Sequence, residues 1–222
     1  MKHTIWALGV LTLSAGILPA AVLTENFDDV TTLAGSGWAI VNESTPVGTT
    51  DWFQGNSGIF GSQAGAPDSY VAANFNAADF SGNINNWLMT PELTLTNGLT
   101  LSFFTRTEDA PIFADLLEIL LSTAGSSTST ADFTTLMLTI NPLLNLTDYP
   151  STWTQYTATV SGLGGPATGR FAFHYNVPDT SVNGDYIGID TVSVDAAGVP
   201  EPSTWALVAA GLALAGRFRR KR

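Results

Sequence analysis

The chain has no cysteine. Disulfides and thiolate metal sites are therefore excluded, and an exported domain of this sequence must rely on packing, or on bound metal. Basic residues are scarce as well: eight among 222 residues, six of them at the two ends, namely Lys2, Arg217, Arg219, Arg220, Lys221 and Arg222. Between Val22 and Val199 only Arg106 and Arg170 stand against eighteen acidic residues, a net charge of −16. Such a domain repels nucleic acid and anionic lipid, and it can attract divalent cations. Histidine is nearly absent, with His3 near the start and His174 in the interior. With no Gly-x-Ser-x-Gly, His-Glu-x-x-His or Walker loop, the usual pairings of nucleophile and base are missing. Glycosidases need only two carboxylates, so composition alone does not exclude that one reaction.

What is present is clearest at the ends. Residues 1–21 begin with Lys2 and His3, continue through an apolar run from Ile5 to Leu18, and finish on Pro19, Ala20 and Ala21. This is the layout of a secretory signal peptide, with cleavage expected after Ala20 or Ala21. Residues 198–222 divide into three parts. Pro200, Glu201 and Pro202 interrupt regular structure, because proline lacks an N–H and fixes φ. Residues 203–216 are apolar and rich in Ala and Leu, which predicts a short helix. Arg217, Arg219, Arg220, Lys221 and Arg222 close the segment, and positive charge after an apolar run holds that end in the cytoplasm. At 14 residues the apolar part falls short of the roughly 20 that a bilayer span needs. It suits a temporary membrane stop.

This three-part segment resembles the PEP-CTERM sorting signal of Gram-negative bacteria. The resemblance implies recognition by exosortase, processing near Pro200, Glu201 and Pro202 after signal peptidase has acted, and export linked to exopolysaccharide. The product would reside at the cell surface or in the extracellular matrix, membrane-anchored before processing.

Residues 22–197 read as short strands broken by Gly, Pro, Asn, Asp and Ser. Strands are expected at Leu99–Thr105, Leu116–Ser122, Leu136–Ile140, Trp153–Val160, Gly169–Val177 and Tyr186–Val194. The clearest alternation puts Phe171, Phe173, Tyr175 and Val177 on one face and Arg170, Ala172, His174 and Asn176 on the other. The stretch from Asn42 to Ser69 reads as a long loop. Repeated short strands without an amphipathic helix between the termini predict an all-β fold, a sandwich or a barrel, and long loops with Gly and Asn are common in jelly rolls. The domain is flanked by the signal-peptide helix and the short C-terminal hydrophobic helix.

The order of landmarks carries a second resemblance: Glu25 to Asp29, Gly37-Trp38, Asp51-Trp52, Trp87-Leu88 followed by Thr90-Pro91, and the closing Tyr186-Ile187-Gly188-Ile189-Asp190. This is similar to the choice-of-anchor J domain, a relative of the cleaved-adhesin and MAM-type jelly rolls. Such domains precede varied surface-sorting signals. The resemblance implies an antiparallel jelly-roll β-sandwich and a non-enzymatic, adhesin-like module.

Two ligand expectations follow. Calcium takes six to eight oxygens and needs neither His nor Cys. By analogy with similar adhesin domains, Glu25, Asp28, Asp51 and Asp190 are its candidate ligands. Asp190 shares strand parity with Val192 and Val194, so an inward carboxylate there needs a cation, backbone N–H groups or a Tyr hydroxyl as partner. Trp38, Trp52, Trp87 and Trp153 are flat platforms for sugars. Trp38 and Trp87 are expected in the core, and Trp52, in a loop-like stretch, is the one expected to be exposed. The function expected first is a surface or matrix protein associated with exopolysaccharide. The alternatives are a specific glycan-binding module and, last, a secreted hydrolase.

Overall fold

A computed structural model describes residues 21–197. The expected N-terminal helix, the motif Pro200 to Pro202, the apolar segment 203–216 and the basic end lie outside the described residues. Among the described residues no helix is long and apolar enough to cross a membrane.

The strands are β1 (Ala21–Glu25), β2 (Ala39–Asn42), β3 (Thr45–Val47), β4 (Phe53–Gln54), β5 (Val71–Asn74), β6 (Ala78–Met89), β7 (Leu93–Leu95), β8 (Thr100–Thr107), β9 (Leu117–Ser122), β10 (Thr135–Ile140), β11 (Thr154–Thr159), β12 (Ala167–Val177) and β13 (Tyr186–Asp195). One sheet runs β11-β8-β13-β5-β4, with β1 also on β13. The other runs β10-β9-β12-β6-β2, with β3 on β6 and β7 on β12. The ladders between strands are antiparallel. The expected sandwich is present, and all six expected strands appear within about two residues of their predicted ends.

Period-2 alternation builds the core. Phe171, Phe173, Tyr175 and Val177 of β12 are wholly buried between the sheets, facing Leu101 and Phe103 of β8 and Ile187 and Ile189 of β13. Phe103 meets Phe173 edge-on, with centroids 5.0 Å apart and planes at 86°, which joins one sheet to the other. Each such aromatic removes enough apolar surface from water to stabilise the fold by about 1.5–3 kcal/mol.

Two irregularities re-aim side chains. In β13, Asp190 pairs with Phe104 and Ser193 with Ser102, so two residues oppose one. Thr191 takes a left-handed φ of 49° at this bulge. In β6, Ala78 pairs with Val47 and Asn83 with Thr45, so Asp79 to Gly82 loop out opposite the single residue Pro46.

Candidate functional site

The outer face of the second sheet carries a polar network. His174 on β12 lies opposite Trp87 of β6 and Glu118 of β9. Its Nδ1 is 3.0 Å from Glu118 Oε2, and its Nε2 is 2.8 Å from Asn85 Oδ1. Trp87 Nε1 donates to the same Asn85 oxygen at 2.6 Å, and Asn176 donates its amide to Glu118 at 3.1 Å. Both ring nitrogens of His174 thus lie within hydrogen-bonding distance of side-chain oxygens. Hydrogen bonding to His174 lowers the Glu118 carboxyl below its ordinary range, against partial burial. Beside this network Trp87, Met89, Ala172 and Phe133 form a small apolar cluster. The network is fully occupied by its own members, and His174, expected on this face, serves as a buried hydrogen-bonding residue.

Asp190 is wholly buried, but not on the face expected. The bulge at Thr191 breaks the parity with Val192 and Val194. Asp190 shares the face of its partner Phe104, on the outside of the first sheet, beneath the loop that follows β4. Its Oδ2 accepts the N–H groups of Gln63 at 2.7 Å and Ala64 at 3.1 Å. Its Oδ1 accepts the Thr191 N–H at 2.6 Å and the Thr191 hydroxyl at 3.2 Å. Burial raises this carboxyl above its usual range, and the donors pull the other way. Of the three partners open to Asp190, backbone N–H groups are the ones it has.

Of the other calcium candidates, Glu25 is half-buried and accepts the Phe27 N–H at 2.9 Å, and Asp28 and Asp51 are exposed. Among the described residues, no three His, Cys, Asp or Glu side chains come together as a metal group. Four donors from the chain itself, the N–H groups of Gln63, Ala64 and Thr191 and the Thr191 hydroxyl, satisfy the Asp190 carboxylate.

The loop over Asp190 is held by aromatic rings. Phe60, Tyr70 and Tyr186 are buried together, with Phe53 and Trp153 packed on them. Trp153 donates its Nε1–H to Gly61 O at 2.8 Å. The Tyr70 hydroxyl bonds Asn56 O and Phe60 O, and burial pushes its pKa up. Trp153 is therefore a fastener of this loop.

Trp52 is 4% exposed and belongs to the main core, which corrects its assignment as an exposed sugar platform. Trp38 is in the same core, edge-on to Phe27.

At one end of the sandwich, Asp115 is buried and accepts from Tyr175 at 2.6 Å, Thr107 at 2.7 Å and the Asp185 N–H at 2.8 Å. Burial raises it to about 6. Asp185 in turn accepts the Ile112 N–H at 2.9 Å, fixing the loop between β8 and β9. A hydrogen bond to Asp185, then burial, raises Glu108 to about 7. These carboxylates organise a loop, and Asp115 has no surface for a substrate to touch.

One feature was missed in the sequence. The looped-out segment Asp79 to Gly82 holds Phe80 80% exposed, beside a cleft of about 320 Å³ also lined by Val47, Thr49, Phe75 and Asn76. The signal was the turn-forming Asp-Phe-Ser-Gly inside a stretch without strand character.

Residues 198–222 match the PEP-CTERM protein-sorting motif. No curated protein matches the chain. Among solved structures the chain is similar to the K1 cleaved adhesin domain of Lys-gingipain from Porphyromonas gingivalis W83, at 22% identity and TM-score 0.56, over 79% of this chain and 98% of that one. The K3 cleaved adhesin domain of the same protein is similar at 25% identity and TM-score 0.54, over 80% and 99%. These similarities establish the fold.

Proposed function

We propose that this is an exported, exosortase-sorted surface or matrix protein whose β-sandwich acts without catalysis, as an adhesin-like module associated with exopolysaccharide. The observation that carries the proposal is the pairing of a PEP-CTERM motif at 198–222 with a sandwich like the cleaved adhesin domains. Two features of the sandwich support a non-catalytic role. The single interior histidine is occupied by Glu118 and Asn85, and the buried carboxylates Asp115 and Asp190 are occupied by internal donors. In this reading signal peptidase removes residues 1–21, and the apolar segment with its basic end holds the chain in the inner membrane. Exosortase then processes the chain near Pro200, Glu201 and Pro202, leaving the acidic domain outside the inner membrane of a Gram-negative cell.

The test is to follow size and location in the host with and without exosortase, and for a chain with Pro200, Glu201 and Pro202 replaced by Ala. Retention of the longer, unprocessed form in the membrane fraction is expected in both cases. Unchanged size and unchanged release would overturn the proposal.

A further inference from the structure

We propose that the cleft beside Phe80 is a binding site for a neutral glycan. The inference deepens the adhesin reading by giving it a ligand class and a place.

The ring of Phe80 is presented by an ordered backbone. Four residues loop out of β6 against one of β3, and Ser81 adopts a left-handed φ of 64°. The excursion is pinned at several points. The Phe80 N–H donates to Asp79 Oδ1 at 2.8 Å, the Thr180 N–H to Gly82 O at 2.9 Å, and the Thr180 hydroxyl to Asp79 O at 3.2 Å. Strained, well-anchored backbone that exposes a large aromatic ring does nothing for the core, and such features concentrate at ligand sites. Across the cleft, Phe75 and Val47 are also exposed, at 47% and 58%. The floor is backbone: a Cβ on Gly48 would lie 2.0 Å from Asn76 O, so glycine is required there.

The chemistry is that of a sugar site. A pyranose offers apolar C–H faces and a rim of hydroxyls. The cleft offers the exposed apolar side chains of Val47, Phe75 and Phe80, with the polar residues Thr49, Asn76 and Asp79 also lining it. Charge selects the class of glycan. The two basic side chains of the domain are both engaged elsewhere. Arg106 bonds Thr107 O and Asp109 and sits over the Phe60 ring. Arg170 bonds the carbonyls of Gly37 and Thr90. Neither lines the cleft, and Asp79 does, so uronate or sulfate groups meet no cation and one fixed anion.

The test uses segment Ala21–Ala197, a compact unit that contains the whole described core. It is titrated calorimetrically with neutral hexasaccharides of glucose, mannose, galactose and xylose, and with hexagalacturonate. Binding of at least one neutral probe and none of hexagalacturonate is expected. Phe80→Ala should weaken binding at least roughly tenfold with unchanged melting, Phe80→Trp should retain it, and Phe80→Leu should not. Phe75→Ala should behave as Phe80→Ala does. If Phe75→Ala unfolds, the exposed Phe80 alone decides. Binding of no neutral probe, or binding indifferent to Phe80→Ala, overturns the proposal. Full binding by Phe80→Leu overturns the ring's part in the site, because apolar bulk without a flat face would then hold the sugar. None of these outcomes depends on sorting, so failure here is separable from failure of the exosortase reading.

Discussion

Trp87 lies flat on His174, with ring centroids 3.8 Å apart and planes 12° from parallel. The stack sits on the outer face of the second sheet, and both rings hydrogen-bond to the one oxygen of Asn85. His174→Ala removes the stack and leaves the half-buried acceptors of Asn85 and Glu118 with one donor fewer each. The expected loss is about 2 kcal/mol, read from urea unfolding. His174→Phe should restore only the stacking share. A variant as stable as the parent would show that the network contributes nothing net.

The carboxyls at the loop end set a pH dependence. Burial raises Asp115 from 3.8 to about 6, and the hydrogen bond to Asp185 raises Glu108 from 4.5 to about 7. A carboxyl raised in the folded state contributes stability that is fully present below its unfolded pKa and lost as pH rises through the folded one. The urea midpoint should therefore be lower at pH 8 than at pH 5. Glu118, lowered by His174, acts in the opposite sense and loses its contribution only at more acidic pH. Asp115→Asn should flatten the fall between pH 5 and 8. The site tolerates the amide, because the Thr107 hydroxyl also reaches Tyr186 O at 3.0 Å and can donate there while accepting from the new NH₂. A midpoint that rises from pH 5 to 8 would contradict the assignment.

How much of this was legible beforehand depends on where each signal lives. The β12 alternation is local, so Phe171, Phe173 and Tyr175 could be placed inside and His174 outside from spacing alone. β6 was invisible because Asp79, Gly82, Asn83, Asn85 and Asn86 are weak strand formers, and it exists because β12, β2 and β3 supply its hydrogen bonds. Trp52 lies in a polar stretch and is buried by packing remote in sequence. The face of Asp190 turned on one extra residue at Thr191, and a single bulge inverts every period-2 inference across it. The tail was legible because its signal is order along the chain and needs no fold.

Asn86 provides a further test. It lies between Ile84 and Leu88 on the inward face of β6, wholly buried, and neither end of its amide meets a partner among the described residues. An unpaired buried amide costs about 1–3 kcal/mol, and leucine has similar volume without that cost. Asn86→Leu should raise the urea midpoint, by about 1 kcal/mol in stability. A lower midpoint would show that the amide is satisfied in solution.

Asp190 separates two ways of holding the loop after β4. Its two oxygens receive the N–H groups of Gln63, Ala64 and Thr191 and the Thr191 hydroxyl, a set of donors that satisfies the buried carboxylate from within the chain. Asp190→Ala leaves those buried donors unpaired. It should cost roughly 3 kcal/mol and open the segment 61–69 to proteolysis, while the rings of Phe60, Tyr70 and Tyr186 keep its base in place. Excess EDTA should leave the melting temperature of the parent protein unchanged. A drop on chelation, reversed by Ca²⁺, would instead return the group Glu25, Asp28, Asp51 and Asp190 to the role of cation ligands. The paired measurement is decisive because the two mechanisms predict the same effect of the mutation, but only a cation site predicts a loss of stability on chelation.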